Sequence, residues 1–343
     1  MKGFSVKRYL RQILFSEIGE EGQKNICDSS VLVVGCGALG SVISESLVRA
    51  GVGKLAIIDR DWVEESNLQR QVLFDEEDVI NSYPKAYAAE IKLNKINSEV
   101  YVKGVVDDFN YINASKFIEG VDLILDGTDN FETRFLINDV SLTYDIPWVY
   151  GACVGSSGLS MTIIPHKTPC LRCVFESAPP VGLLPTCDTS GVISPIVNAI
   201  AAIQAAEALK ILSKNLNAVN KSLISIDIWN GSYYETEIAS LEKSECKACM
   251  GEYEYLNGAA GSQTTVLCGR DAVQITRINS EKVDFENIVK RLKEVTEVKK
   301  NKFLLQFNAE GFEVTLFADG RAIVKGTKDA AAAKNIYSKY VGS

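Results

Sequence analysis

Histidine is nearly absent from this chain: His166 is the only one in 343 residues. Catalytic triads and other schemes in which an imidazole moves a proton would all have to run through that one side chain. It sits in Pro165-His166-Lys167, a turn-like context, and reads as a solvated turn residue. Positive charge is also in short supply. Lys and Arg number 36 against 44 Asp and Glu, a formal charge of −8, which argues against nucleic acid as a partner and leaves room only for a local basic patch. The N-terminal MKGFSVKRYLRQ has no apolar core before a small-residue cleavage site, so no signal peptide is expected there. Long apolar runs are missing too. The most apolar stretch, Val192–Leu212, contains Pro195, Asn198, Gln204, Glu207 and Lys210, which predicts a buried helix rather than a membrane span. The expected compartment is the cytoplasm, with no membrane partner. There is no internal repeat and no low-complexity tract. The nine cysteines are an odd number in a chain with no export signal, which argues against a disulfide framework.

What the chain does have is one organising stretch, Val31 to Gln71. A short apolar run, Val31–Val34, meets a glycine turn with Gly35, Gly37 and Gly40 at G-x-G-x-x-G spacing. An amphipathic segment to Ala50 and a second apolar run ending in Asp59 follow. This is the sequence form of a β-α-β nucleotide site. The glycines let backbone approach a phosphate at a helix N-terminus, where unpaired N–H groups favour negative charge. Asp59 stands where a carboxylate can take ribose hydroxyls. By itself this says only that a nucleotide binds.

The rest of the chain fits an α/β fold with a doubly wound, mostly parallel, Rossmann-like sheet, since strands alternate with helices. Val6–Asn25 predicts one or two helices outside the sheet. The segment after Pro84 is helical, as proline suits a first helical turn. Val100–Val102, Val121–Asp126 and Trp148–Gly151 are strands, and Asn130–Tyr144 is a helix. From Leu159 the style changes, through strands at Leu159–Ile164, Leu223–Trp229 and Tyr233–Ile238. The expected organisation is a main domain over 1–250, a linker over 251–262 and a small α+β module over 263–343. In that module Asp319-Gly320, between EVTLFA and RAIVKG, predicts a type I′ hairpin turn, and a final helix spans Asp329–Tyr340.

Several side chains carry chemistry. Asn67 and Arg70 share a face if their stretch is a helical turn, and beside the nucleotide strand they can grip ATP phosphates. A surface turn with a capping asparagine is the alternative. Asp126-Gly127-Thr128-Asp129-Asn130 brings two carboxylates to the carboxyl end of a strand, where one can bind Mg²⁺. The competing assignment makes Asp129 or Asn130 the N-cap of the next helix. Lys85 opens a helix, where its charge opposes the dipole, so a phosphate partner would explain it and helix stability does not, with a solvated lysine as the alternative. Cys170-Leu171-Arg172-Cys173 and Cys246-Lys247-Ala248-Cys249 can supply four thiolates to one tetrahedral zinc, with a redox dithiol as the alternative. A closed four-ligand site would be structural. Cys187, in a Pro/Gly-rich connection just before the long helix, could be a nucleophile with a lowered pKa. Cys27, Cys36, Cys153 and Cys268 read as packing residues.

Taken together, GCGALG, IIDRDWVEESNLQRQ and ILDGTDNFETR resemble the ThiF/MoeB/HesA superfamily, related to the ubiquitin-activating enzymes, over about Arg8 to Ala248. NFETRFLIND, PWVYGACVGSSGLS and TVLCGRDAVQI look most like its ThiF branch. The resemblance implies adenylation, with ATP, of the C-terminal Gly-Gly carboxylate of a ubiquitin-like sulfur carrier protein. A ThiS-like carrier for thiamin thiazole synthesis is the first expectation and a MoaD-like molybdopterin carrier the alternative. It implies that Asp59 binds the ribose, that Asn67, Arg70 and Lys85 hold the phosphates, and that Asp129 binds Mg²⁺. Arg11, in RYLRQ, would reach the partner subunit's ATP in a homodimer. The two cysteine pairs would carry structural zinc, and Cys187 would match the crossover-loop cysteine that in some members links to the carrier. A cysteine desulfurase or other sulfur donor would be a further partner. An NAD-dependent oxidoreductase explains the glycine turn and Asp59 but gives Asn67, Arg70 and the cysteine pairs no role. A non-catalytic adaptor conflicts with an ATP site whose every expected position is filled. The C-terminal module has no rhodanese-like active-site pattern, so sulfur transfer is not assigned to it.

Overall fold

A computed structural model describes residues 6–177, 190–241, 245–259, 264–267, 271–275, 283–293 and 296–341. The chain divides into two compact units, Met1–Pro179 with Val192–Ala260 and Pro180–Gly191 with Gly261–Ser343.

The first unit is built on an eight-stranded sheet in the order β3-β2-β1-β4-β5-β6-β7-β8. Its strands are β1 (Ser30–Val34), β2 (Lys54–Ile58), β3 (Tyr101–Val105), β4 (Leu123–Asp126), β5 (Trp148–Val154), β6 (Ser157–Ile163), β7 (Ser222–Asp227) and β8 (Ser232–Glu237). The first five pair in parallel and the last three antiparallel. The parallel part is covered on both faces, which is why its strands read as continuous apolar runs. Along β1, Val31 and Val33 join one core with Ile43, Leu47, Ile200 and Ala201, while Leu32 and Val34 join another with Phe135, Ile137, Trp148 and Tyr150. The apolar helix occupies Ser194–Leu212, and ten of its residues, Gln204 and Glu207 among them, are buried inside the fold. Glu207 pairs with Lys210, while Gln204 donates to the carbonyls of Asp126 and Val149 and leaves its own Oε1 buried without a partner. It is the one helix among the described residues long and apolar enough to cross a membrane.

The order in which strands are added reverses between β1 and β4, which run parallel. From β1 the chain crosses through helix Ala38–Ala50 to β2 on one side, while β4 lies on the other. A crevice opens at the carboxyl ends of strands at such a switch point. The glycine turn after β1 lies there. Two helices precede β1, Val6–Ile13 and Gly19–Asp28.

The second unit is a six-stranded antiparallel sheet in the order β11-β12-β13-β14-β10-β9. Its strands are β9 (Thr264–Leu267), β10 (Ala272–Ile275), β11 (Val298–Lys300), β12 (Leu304–Ala309), β13 (Phe312–Phe317) and β14 (Ala322–Lys325). Helices Phe285–Leu292 and Ala330–Tyr340 contribute Ile288, Leu292, Ala333 and Ile336 to its core. The hairpin at Asp319-Gly320 forms, but not with the expected type I′ turn. Gly320 alone has positive φ (+84°), its N–H bonds Phe317 O at 3.0 Å, and Phe317 N–H bonds Arg321 O at 2.8 Å. That is a three-residue loop, a type I turn closed by a left-handed glycine. Residues 251–259 pack on the first unit: the Tyr255 ring lies 5.1 Å from Phe135, and Tyr255 N–H donates to Asp139 at 2.9 Å.

Candidate nucleotide site and four-cysteine cluster

The three glycines of the turn serve different needs. Gly35 has φ +87°, and a Cβ there would stand 2.6 Å from the carbonyl oxygen of Gly127, which follows β4. Gly40, in the first turn of helix Ala38–Ala50, has no room for a side chain because its Cβ would meet Gly35 O at 1.9 Å. Gly37 differs: it caps the helix at φ −81°, and the nearest atoms to an added Cβ are Gln71 Nε2 at 3.9 Å and Gly127 O at 4.0 Å. An added Cβ there would make only ordinary contacts, so the cap is not crowded, and a helix N-terminus of this kind can accept a phosphate.

Asp59, just past β2, is held from both sides. Its Oδ2 accepts Cys36 N–H at 2.6 Å, which ties it to the glycine turn, and its Oδ1 accepts Asp61 N–H at 2.7 Å. Burial pushes its carboxyl up, against the pull of the Lys85 ammonium. Lys85 opens helix Lys85–Ile96, is 3% exposed, and lies 3.2 Å from Asp61 Oδ2. Lys85 is therefore not the solvated lysine that was the alternative, and Asp61 supplies it with a counter-charge. Arg60 pairs with Asp108 at 3.0 Å. Although burial works against it, Asp108, Asp61, Asp129 and Asp59 hold its guanidinium above the ordinary range.

Asn67 and Arg70 follow on a short turn. Asn67 ends the 3-10 segment Glu65–Asn67, is 2% exposed, and its Oδ1 accepts Glu64 N–H at 3.1 Å in a capping box. The capping role is thus real. Arg70 is half-buried and donates to Ser66 O at 2.9 Å. The next residue, Gln71, had no role in the sequence reading, yet its carboxamide lies against Gly37, and its Oε1 is buried without a hydrogen-bond partner.

The two carboxylates after β4 divide. Asp126 is fully buried, receives Thr128 N–H and Oγ1–H at 2.8 and 2.7 Å, and pairs with Arg134 at 3.1 Å. Arg134 also donates to Thr128 O at 2.8 Å and lies over the Phe131 and Tyr150 rings. Asp126 is therefore structural, and Asp129 is the exposed one. Asn130 is the N-cap, accepting Thr133 N–H at 2.9 Å, so Asp129 is not. Arg134 was missed from sequence, although an arginine in the helix after a strand-end aspartate is the available signal.

Arg11 is not near this site in its own chain. Its helix is docked at the opposite end of the sheet: Gln12 donates to Ala50 O at 3.0 Å, and Asn97 donates to Tyr9 Oη at 2.8 Å. Ala50 ends the 13-residue helix that begins beside the glycine turn, which places Arg11 roughly 20 Å from that turn by helical rise. Arg11 itself is exposed. His166 is an exposed turn residue at φ +61° beside Asp145. Cys36 and Cys153 are buried as packing residues, and Cys27 is half-buried against Gln23. Cys187 and Cys268 lie outside the described residues.

Cys170, Cys173, Cys246 and Cys249 converge, although 76 residues separate the pairs. Their Sγ atoms lie within 4.8 Å of one another, with 170–246 and 173–249 at 3.6 Å and 170–173 at 3.8 Å. Four sulfurs about 2.3 Å from one metal stand about 3.8 Å apart in a tetrahedron, so the donor set fits a metal such as zinc. Neighbouring backbone is tied to helix Phe131–Tyr144, with Leu171 N–H donating to Asn138 at 2.8 Å.

A doubly wound sheet with a glycine turn at its switch point and an aspartate after the next strand defines a nucleotide-binding α/β protein. Residues 9–248 match the ThiF family, and the chain belongs to it. It is 43% identical over 337 residues to the "Sulfur carrier protein ThiS adenylyltransferase" of Bacillus subtilis, covering 98% of this chain and 99% of that one. It is 38% identical over 242 residues to the "SAMP-activating enzyme E1" of Haloferax volcanii, covering 71% and 88%. In fold it is similar to Escherichia coli MccB solved with ATP, at a TM-score of 0.62 and 24% identity over 72% of this chain and 75% of that one.

Proposed function

We propose that this chain is a carrier-protein adenylyltransferase that uses ATP to activate the C-terminal carboxylate of a ThiS-like, ubiquitin-like sulfur carrier for thiamin thiazole biosynthesis. The observation that carries the reading is the end-to-end likeness to a ThiS adenylyltransferase. The surroundings of the glycine turn support it. The attacking group is a carboxylate, already ionised at neutral pH, so a chain with one exposed histidine loses nothing by lacking a general base. A carboxylate oxygen bonds to the α-phosphorus, the bond to the bridging oxygen breaks, and pyrophosphate leaves. The task is to position two anions and screen their repulsion.

In this reading Asp59 accepts ribose hydroxyls through its remaining lone pairs. Gly35, Gly37 and Gly40 shape the turn against the phosphates, while Asn67, Arg70 and Lys85 hold them. Asp129 would hold the Mg²⁺ that accompanies ATP, which screens phosphate charge. The four-cysteine cluster would hold a structural zinc that ties two distant connections to one helix. Arg11 lies far from its own chain's turn, which supports a homodimer in which it reaches the partner's ATP. Cys187 is assigned a covalent link to the carrier after adenylation, with a cysteine desulfurase or other donor supplying sulfur.

The test is exchange of labelled pyrophosphate into ATP with a ThiS-type and a MoaD-type carrier, each separately. Exchange with the first is expected; exchange with neither overturns adenylation, and preference for the second overturns the branch. Cys187→Ala should keep exchange and lose any covalent adduct.

A further inference from the structure

Helix Val6–Ile13 is fastened mainly by polar side chains, and Tyr9 is its one buried residue. The Tyr9 ring lies on Gly51, the left-handed C-cap of helix Ala38–Ala50, where a Cβ would stand 2.4 Å from Tyr9 Cζ. Asn97 Nδ2 donates to Tyr9 Oη at 2.8 Å and to Val48 O at 2.9 Å. One turn on, Gln12 Nε2 donates to Ala50 O at 3.0 Å and to Gln23 Oε1 at 2.6 Å, and Gln23 Nε2 donates to the same Ala50 O at 3.0 Å. Val48 and Ala50 lie in the last turn of their helix, where carbonyls lack helical partners. The bonds answer that need, and they also fix the rotation of helix Val6–Ile13 about its own axis. Tyr9 and Gln12, three residues apart, share its inward face. Arg11 lies on another face and is exposed, as are Val6, Leu10 and Leu14 at i, i+4 and i+8.

From this placement we infer that Gln12 and Tyr9 are positioning residues for the ATP site of a second copy of this chain, acting through Arg11. The inference rests on the proposed homodimer in which Arg11 reaches the partner's ATP. A long cationic side chain that crosses an interface gives up rotamer freedom, and a misplacement of about 1 Å can cost about 100-fold in rate. A helix already locked in rotation leaves only the side chain itself to be ordered. The stripe of Val6, Leu10 and Leu14 offers the second copy an apolar surface to cover beside Arg11.

Exchange of labelled pyrophosphate into ATP is measured with a ThiS-type carrier for homodimers carrying Gln12→Glu, Arg11→Ala or both, with thermal unfolding of each. Gln12→Glu is isosteric and loses the donor to Ala50 O and Gln23. Its turnover should fall at least fivefold, yet it should add less than twofold to the loss in Arg11→Ala. Tyr9→Leu, which takes the ring off Gly51, should behave in the same way. The deciding arm is a heterodimer, copurified through two different tags, of a Gln12→Glu chain and a Lys85→Ala/Asp129→Ala chain. Its one complete site takes Arg11 from the chain with native Gln12, so turnover per complete site should return to within twofold of native. A role confined to the fold of its own chain would leave that site slow. A heterodimer as slow as the Gln12→Glu homodimer overturns the inference, as does a Gln12→Glu homodimer within twofold of native. If Gln12→Glu does not fold, Gln12→Ala, which leaves Gln23 on the Ala50 carbonyl, carries the same comparison. Native turnover in Arg11→Ala, or a native chain that sediments as a monomer, overturns the placement of Arg11 in the partner's site. Absence of exchange in the native chain overturns the functional reading itself.

Discussion

Gly37→Ala separates what the glycine turn needs for folding from what it needs for a ligand. The added methyl would meet nothing nearer than 3.9 Å, but Gly37 has φ −81° and ψ −142°, outside the usual α and β wells, so alanine bears some backbone strain. Alanine also restricts the unfolded chain, which offsets small losses in the folded one. The loss of stability should therefore be about 1–3 kcal/mol, with the chain still folded. Ligand binding should fall as well. A phosphate oxygen accepting an N–H from this cap would lie about 2.9 Å from the nitrogen, within the space the methyl takes. Losing one charge-assisted hydrogen bond costs about 1.5–3 kcal/mol, which is about 10- to 100-fold in ATP affinity. Urea unfolding gives the first quantity and calorimetric titration with Mg²⁺–ATP the second. A variant that binds ATP as the native chain does would show that no phosphate lies over Gly37, and one that unfolds would show that the turn is tighter than its geometry says.

The neighbouring glycine is less tolerant: Gly40→Ala drives a methyl to 1.9 Å from Gly35 O, so urea unfolding should show a loss of about 3 kcal/mol or more as backbone gives way. Arg134→Met leaves the fully buried Asp126 carboxylate without its ion partner and should cost about 3–5 kcal/mol. Asp129→Asn, at an exposed position, should keep stability within about 0.5 kcal/mol while pyrophosphate exchange falls at least tenfold and needs more Mg²⁺. Cys246→Ser/Cys249→Ser should lose about one metal per chain by elemental analysis and unfold at a lower temperature, and a native chain that purifies metal-free with the same stability would refute the zinc assignment.

The main sheet was legible because its central parallel strands are buried on two faces, and a chain must spell that as an apolar run such as Val31–Val34 or Leu123–Leu125. The glycine turn was legible because its spacing answers a local steric demand that ends within six residues. Partnership across the fold was not. Nothing near Lys85 in sequence names Asp61, 24 positions earlier, as its counter-charge, and nothing near Asp126 names Arg134 as a buried partner rather than a surface arginine. Strand β11 escaped because its three residues, Val298–Lys300, carry two lysines and sit at a sheet edge, where alternation is short and weak. The hairpin turn was found in place but mistyped: Asp-Gly between strands fits two loop lengths, and the register of β13 with β14 selects the longer one.

The charged groups around the turn sort by whether the fold already uses them. Asp126 is closed by Arg134 and Thr128, Arg60 meets Asp108, Lys85 meets Asp61, and Asp59 takes an N–H on each oxygen. These pairings let ionised side chains lie in or near the interior at the strand ends without bearing the full cost of lost solvation. They also hold each group in place before a ligand arrives, so that little reorganisation is needed when charge moves between phosphates. Asp129 is exposed and adds its charge to the surroundings of Arg60, and Arg70 is half-buried with one bond to Ser66 O. In the proposed reaction ATP would set its phosphates at the helix cap and Arg70, with its metal toward Asp129.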